Sequence, residues 1–465
     1  MAKYNVLNWV SVQKREKKQP LPLWRRVFLV FVIAGMVFIS GVMLLAYIER
    51  KWLGWEVVRI SESGEPTTFT NLSPRKTSPS AEDAADYYVD AMWQIQPGEL
   101  SELTKVNTFY RVNMAALPLS QFPADLKKMV AQNLAGSQPA LAKFDRGAEL
   151  DLTGFDIGIL QGNQICKSRL DSIQSALLLL SLRTLDAIAA NDSEKAVQSI
   201  ESMLKLMRVF DCQPTMFVQV SKIICVRLVC SDVLLLLTRC RLSEQQLARL
   251  QPLVEGVFQS GSLESMLLAE RVYQLEMARN FLPGDVASKY LMANPPPLPE
   301  RLKLPDFTWH RMRVLGIAVK YMQEMDWYIE ASSRPWPAPL DKITDENSSP
   351  SKSYRLASAL IPLSRLTAET LAIVRCTTAS IAVERYRLGK GVLPDSLDAI
   401  YLQDVNSVPL DPFTARPLLF IQDSDSYTIY SAGLNRIDDK GSIIPKQNQA
   451  IILDIGVRVK RSVPK

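Results

Sequence analysis

VFLVFVIAGMVFISGVMLLAYI, residues 27–48, contains no charged side chain and follows directly on Arg25 and Arg26. Wound as one helix, a run this long and this apolar matches the hydrocarbon thickness of a bilayer. It is too long for the apolar core of a secretory signal. No A-x-A site follows it either, since the exit reads AYIERKWLGW over 46–55. The stretch predicts an uncleaved, single-pass transmembrane helix over 27–48 with the lipid bilayer as its partner.

Flanking charge sets the expected orientation. Residues 1–26 carry Lys3, Lys14, Arg15, Lys17, Lys18, Arg25 and Arg26 against the single acid Glu16, a net of +6. The far side opens with Glu49, Arg50, Lys51, Glu56 and Arg59, a mixed and weaker bias. An excess of Lys and Arg on the cytoplasmic side predicts a basic cytoplasmic tail and an extracytoplasmic bulk, in the inner membrane of a bacterium. Trp24 falls at the near interface, Trp52 and Trp55 at the far one. The whole chain also nets +6, so everything beyond residue 26 is neutral overall. The basic balance is therefore a property of the tail, which can touch anionic lipid, and gives no footing for nucleic-acid binding by the large domain.

Most enzyme classes leave no mark. The six cysteines, Cys166, Cys212, Cys225, Cys230, Cys240 and Cys376, form no C-x-x-C pair, which argues against zinc and thioredoxin-type chemistry. They read as small buried hydrophobes, with a disulfide permitted by the compartment. His310, in FTWHRMRVL, is the single histidine, so H-E-x-x-H metal chemistry is excluded. A hydrolase using His310 stands as a remote alternative, without any G-x-S-x-G elbow to support it. No P-loop and no G-x-G-x-x-G occurs, and no small-molecule substrate is indicated.

Beyond the span, residues 49–78 are polar and contain Pro66 and Pro74, which predicts a juxtamembrane linker. A helical domain is expected over 79–352. Ser78-Pro79 reads as an N-cap with proline at the first helical position. Ala84, Tyr87, Tyr88, Ala91 and Ile95 then share a helix face. Ser168–Ala190 and Ser193–Phe210 keep apolar residues at helical spacing and are broken by Ala190-Asn191-Asp192, predicting an antiparallel hairpin. This pair, LRTLDAIAANDSEKAVQSIESMLKL, weakly resembles one tetratricopeptide unit, although no repeat of roughly 34 residues follows. Residues 215–240 include VLLLL but are interrupted by Lys222, Arg227 and Asp232, so they predict a buried helix and no second span. Ser243 with Gln246 reads as a capping box. Helices are expected over 262–282 and 306–331. PPPLPE (295–300), and RPWPAP with the Ser-rich stretch to Ser353, are expected to be stiff extended connectors. Asp341, Asp345 and Glu346 would lie in the second connector, with nothing to desolvate them for acid/base work.

The last segment, 353–465, changes pattern. A long helix running through TAETLAIVRCTTASIAVERYRLGKG is followed by a short helix at VLPDSLDAI. Two strand-like runs, Leu418–Ile421 and Tyr427–Tyr430, are joined by a polar turn at Asp423–Ser426. ERYRLGKGVLPDSLDAI, VPLDPFTARPLLF and YTIYSAGLNRIDD together resemble the C-terminal half of the major pseudopilin of type II secretion. Tyr386, Pro394, Leu397, Asp411, Pro412, Phe413, Tyr430, Ser431 and Gly433 stand where that pattern expects them. The layout of anchor, helical middle and this tail also resembles a set of uncharacterised single-pass bacterial envelope proteins. The resemblance implies an α+β module and calcium in the loop LNRIDDKGS, with Asn435, Asp438 and Asp439 as ligands. Oxygen donors close in sequence suit a hard cation. Asp411 is expected to bracket its turn. The approach to the span, QPLPLWRRVF, lacks the glycine and acid of a prepilin leader, so processing as a pilin is not expected.

The expectation is a mainly α protein: one transmembrane helix, a helical-bundle extracytoplasmic domain and a small pseudopilin-like α+β module. No motif for catalysis accompanies the long tethered helical array. A scaffold that binds a protein partner follows from that pairing, with an accessory role in a type II secretion or pilus-like system as the alternative.

Overall fold

The structure, a computed structural model, describes residues 22–72, 82–95, 99–116, 123–279, 309–345, 354–401, 408–423, 426–443 and 454–460. The chain is mainly helical and ends in a small antiparallel sheet.

Helix α1 runs unbroken over Leu23–Glu62, about 60 Å at the usual rise per residue. The expected linker therefore does not begin at residue 49. ERKWLGWEVVRISE has no proline, and Leu53, Val57 and Ile60 recur at helical spacing to pack against Leu275, Val319 and Met322. Tertiary burial thus extends the helix past the apolar run. Its end is a Schellman closure around Gly64 (φ 78°). The Glu65 N–H donates to the Ile60 carbonyl (3.3 Å) and the Gly64 N–H to that of Ser61 (3.1 Å).

A short turn of helix, α2 (Phe69–Leu72), precedes α3 (Ala84–Trp93), α4 (Glu99–Ala116), α5 (Ala124–Gly136) and α6 (Gln138–Ala148). Ser78 lies outside the described residues. The cap of α3 is Asp83, whose carboxylate accepts from Ala85 N–H (3.0 Å). The α3 face that packs inward carries Ala84, Tyr88, Ala91 and Met92. Gly147 of α6 lets the Tyr88 ring close on it, since a β-carbon there would sit 2.5 Å from Tyr88 Cε1.

Helices α7 (Asn163–Ala189) and α8 (Ser193–Leu206) form the expected hairpin. Asn191 takes φ 58° at the break, and the Asp192 side chain caps α8 by accepting from Lys195 N–H (3.0 Å). A 3-10 turn over Met207–Asp211 follows where a continuous helix was expected. Helix α9 (Met216–Arg239) is buried along most of its length. Helix α10 (Glu244–Gly256) opens on the predicted capping box of Ser243 and Gln246. Helices α11 (Ser262–Arg279) and α12 (Trp309–Ser332) lie side by side. PPPLPE lies outside the described residues.

RPWPAP is not an extended connector throughout. Residues Ala338–Thr344 form a helix, α13, with Pro339 in its first turn. Leu340 and Ile343 are buried, and Trp336 Nε1–H donates to the Ser260 carbonyl (3.1 Å). The apolar side chains among and just after the prolines, Trp336, Leu340 and Ile343, had a core to enter, which a composition reading misses. Asp341 accordingly sits on a helix and pairs with Arg436. Glu346 lies outside the described residues.

Helix α14 (Tyr354–Lys390) is the long helix of the C-terminal segment, followed by the short α15 (Asp398–Tyr401). Strands β1 (Leu419–Gln422), β2 (Ser426–Ser431) and β3 (Ile455–Lys460) form a sheet in the order β1-β2-β3, antiparallel throughout. The hairpin was legible and β3 was not. Strand β2 is central and wholly buried. Tyr427 OH ties it to α14, lying 3.2 Å from both Glu384 Oε1 and the Ser380 carbonyl and sharing its single proton between them. Helix α14 also packs on α9 and α10, so one continuous core runs from Ala84 to Val459. The expected boundary at 352/353 does not divide that core.

Candidate functional site

The loop predicted to hold a cation leaves the end of β2. Gly433 (φ 65°), Arg436 (φ 58°) and Lys440 (φ 60°) turn it sharply. The Asn435 side-chain carbonyl accepts from Ile437 N–H (3.1 Å), and its amide donates to Asp439 Oδ2 (2.7 Å). Asp438 Oδ1 accepts from Tyr430 OH and from Lys440 N–H (2.9 Å each), and Oδ2 faces the Lys440 ammonium at 3.1 Å. Burial pushes the Asp438 carboxyl up, but these donors outweigh it and hold the group below its ordinary value.

Sequence reading missed the residue that organises this loop. Asp454, at the start of β3, is buried and accepts from Asp439 N–H (3.3 Å) and Ser442 N–H (3.0 Å). Burial raises its carboxyl above the ordinary range, against the pull of the backbone donors, and the Asp439 charge adds to the rise. Two carboxylates and an amide at loop spacing were visible in sequence. The fourth oxygen group came from residue 454, and nothing local marked it as a neighbour.

The donor set of Asn435, Asp438 and Asp439 is all oxygen, which suits calcium. In the present geometry every one of these side chains is already engaged by a protein donor, and Lys440 occupies an edge of Asp438. Among the described residues, no group of three or more His, Cys, Asp or Glu side chains is gathered as a metal site.

Below the loop stands Asp411, placed as expected in its turn. Its carboxylate is buried and accepts from Phe413 N–H (2.9 Å), Ser431 Oγ–H (2.7 Å), Ala432 N–H (3.0 Å) and Thr414 Oγ1–H (3.2 Å). It fastens the Leu410-Asp411-Pro412-Phe413 turn to the end of β2 and thereby fixes where the next loop starts. Around this hub Leu410, Leu434 and Ile437 are exposed.

Two other places bear on chemistry. A polar depression of about 450 Å³ is lined by Gln138, Asp145, Arg183, Asp192, Glu194, Lys195 and Gln198. Its Arg183 and Asp145 are locked in a bidentate pair (2.7 and 2.6 Å), so this charge serves the α6–α7 contact. His310 falls in the first turn of α12, and its side chain lies outside the described residues.

The six cysteines are free thiols. Cys225, Cys230 and Cys376 are fully enclosed, and burial alone or chiefly pushes each thiol up, the first two to about 12. They carry packing and no reactive thiolate.

At the last turns of α1, a chain of ion pairs with Glu56 and Arg271 buried joins three helices. Glu56 and Arg59 of α1 pair with each other, and Arg59 Nη2 lies 2.6 Å from Asp326 Oδ2 of α12. Arg271 of α11 is fully buried and bridges Asp326 (2.8 Å) and Glu65 (2.7 Å). Among the described residues, three helices, α1, α7 and α14, are apolar and long enough to cross a membrane. The apolar windows of α7 and α14 are 72% and 78% covered by the rest of the protein, and that of α1 is uncovered.

Comparison of the chain with protein families, with curated proteins and with solved structures finds no match.

Proposed function

We propose that this chain is a single-pass, membrane-anchored scaffold of the bacterial envelope whose extracytoplasmic domain binds a protein partner. The carrying observation is the construction of α1. Its apolar window is bare, while its last turns are fixed into the folded domain by Ile60 and by the Glu56–Arg59–Asp326–Arg271–Glu65 chain of charges. A helix that passes from bilayer to domain without a loop holds the domain at a set height and orientation. Catalysis does not need that, and presentation of a docking surface does. The basic tail supports a cytoplasmic N-terminus with the bulk of the chain outside the cytoplasm.

The surface assigned to the partner is the rim of the C-terminal module, where Leu410, Leu434 and Ile437 are exposed around the Asp411 hub. The test is crosslinking and affinity capture of the full chain from native membranes. A partner recovered with the natural chain and lost with Leu434→Asp/Ile437→Asp supports the reading. Recovery of no partner by the natural chain overturns it. A periplasmic reporter fused at the C-terminus checks the orientation independently.

The C-terminal likeness supports a second reading, an accessory component of a type II secretion or pilus-like system. The observation favouring it is the order of the module: a long helix, a turn bracketed by Asp411, then a hairpin followed by a loop that groups Asn435, Asp438 and Asp439 near Asp454. On this reading calcium enters the loop by displacing the Lys440 ammonium from Asp438. Calorimetry of the full chain against Asp438→Ala/Asp439→Ala decides it. Micromolar calcium binding lost in the variant favours it, and no binding removes it.

A further inference from the structure

Helix α9 turns an apolar face to solvent. Phe217, Val220 and Ile224 are its exposed residues, at 54, 39 and 57% of their full accessibility. Steps of three and then four residues put all three on one stripe. No free charge shares it. Lys222 turns into the domain and pairs with Asp211 (2.5 Å). Arg227, half-buried, pairs with Glu369 of α14 (2.8 Å), and Asp232 is buried against Arg111 of α4 (2.7 Å). A single exposed apolar side chain is ordinary, but three in file on one helix face mark a contact surface.

The direction of α9 selects what covers it. Helix α12 runs with α1, because Glu56 meets Gln323 and Arg59 meets Asp326 at one sequence offset, 267. Helix α11 runs against α12. Arg271 holds Asp326, while Ser260, just before α11, accepts from Trp336, just after α12. Helix α9 in turn runs against α11. Met216 N–H donates to Glu270 (3.2 Å), and further along α9 the Lys222 ammonium lies over the Phe258 ring, 5.7 Å from its centroid. Two reversals leave α9 pointing the same way as α1. Its first turn stands near the height of Arg271 and, through Asp326, of Arg59. That height is about 16 Å beyond Ile48 at the usual rise per residue, clear of the apolar run.

Two copies anchored in one bilayer share an orientation, so a closed pair has its two-fold axis along the membrane normal. Across such an axis α9 meets α9 in parallel, and each residue meets its own counterpart at equal height. A charged face would set like against like there. This face carries no unpaired charge, and its three-then-four spacing is that of a parallel two-stranded coiled-coil seam. It is also small. Three partly exposed side chains fall well short of the roughly 800 Å² per partner of a free-standing interface. Confinement of both copies to one membrane offsets this by raising their effective concentration.

We propose that a second copy of this chain covers the face of Phe217, Val220 and Ile224, α9 against α9, in a parallel two-fold pair of anchored chains. The proposal rests on the reading of α1 as the membrane anchor.

The experiment is thiol crosslinking of the full chain in native membranes, with copper phenanthroline as oxidant and non-reducing electrophoresis as readout. Val220→Cys is expected to give a covalent dimer. The natural chain, and Lys128→Cys on the exposed side of α5, are expected to give none. Adding Ile224→Asp to Val220→Cys should lower the dimer about tenfold, since the pair would set two carboxylates in an apolar seam. A Val220→Cys chain that stays monomeric overturns the proposal. A dimer that Ile224→Asp leaves undiminished overturns it too, because the pairing then lies elsewhere. A crosslinked product that mass spectrometry identifies as a different protein gives the face to that partner and likewise overturns it. Carbonate extraction of the same membranes reads the anchor separately. A chain retained in the membrane but never dimeric removes this proposal alone, and a chain released by carbonate removes the anchor reading and this proposal with it.

Discussion

Arg271 and Asp326 face each other at 2.8 Å across the contact between α11 and α12, with the Arg271 side chain wholly removed from solvent. Asp326 also holds Arg59 of α1. One carboxylate therefore ties α1, α11 and α12 together. Arg271→Ala would leave Asp326 and Glu65 without this partner. A loss of about 3 kcal/mol is expected, the low end for breaking a buried pair, because both acids keep about a third of their exposure. Thermal and denaturant unfolding of the detergent-solubilised chain measures it. A change below 1 kcal/mol would mean that the charge chain does not fasten α1 to the domain.

Gly456 of β3 lies close against β2. A β-carbon there would lie 2.4 Å from the Ile429 carbonyl oxygen and 2.5 Å from Tyr430 Cβ. Backbone cannot yield as a flexible side chain can. Gly456→Ala is expected to cost about 2 kcal/mol and to unpair β3. Hydrogen exchange should then show amides of residues 455–460 losing protection while those of α7 and α9 keep it.

Asp411 accepts four hydrogen bonds inside the C-terminal module. Asp411→Ala leaves buried donors on Phe413, Ser431 and Ala432 unsatisfied, and about 3 kcal/mol should be lost. Limited proteolysis is expected to cut first between 408 and 443. Resistance equal to that of the natural chain would count against Asp411 as the organiser of the loop.

Thiol reactivity should be graded by burial. Cys240 is the most accessible of the six, and burial pushes its thiol up to about 11. Titration of the native chain with a disulfide reagent at pH 8 is expected to modify Cys240 first and slowly. Cys225 and Cys230, pushed up to about 12, should react only after denaturation. Fast native labelling of either would contradict the packing described.

Glu270 is enclosed between α9 and α11. It accepts from Met216 N–H (3.2 Å) and Gln274 Nε2–H (3.1 Å). Burial, outweighing these donors, raises its carboxyl above the ordinary 4.5. The folded state then holds its proton at a pH where the unfolded chain has released it. The contribution of this group to stability is thus greatest in acid and is lost as pH rises from 4.5 through the raised value. Glu270→Gln should flatten that part of the stability–pH curve and be most stabilising at neutral pH. Equal slopes for the two proteins between pH 4.5 and 8 would refute the assignment.

Much of the helical order could be read locally. The Ser243–Gln246 capping box, the Asn191-Asp192 break and the apolar spacing of α7, α8 and α9 are set by neighbours within a turn or two. The misses share a different cause. The extension of α1 to Glu62, the helix at Ala338–Thr344 and the strand at Ile455–Lys460 each depend on a surface contributed from far along the chain. The candidate loop divides in the same way. Asn435, Asp438 and Asp439 were visible together, whereas Asp454 and the competing Tyr430 hydroxyl were not.

The apolar segment at 27–48, the charge asymmetry around it and the helical character of the middle are legible from the chain alone, because periodicity and charge are properties of short windows. That α1 continues into the domain, that Arg271 and Asp326 close the joint, and that Glu56 and Arg59 of α1 meet Gln323 and Asp326 of α12 follow from long-range packing. Those outcomes depend on which distant surfaces bury one another, and no local window contains that information.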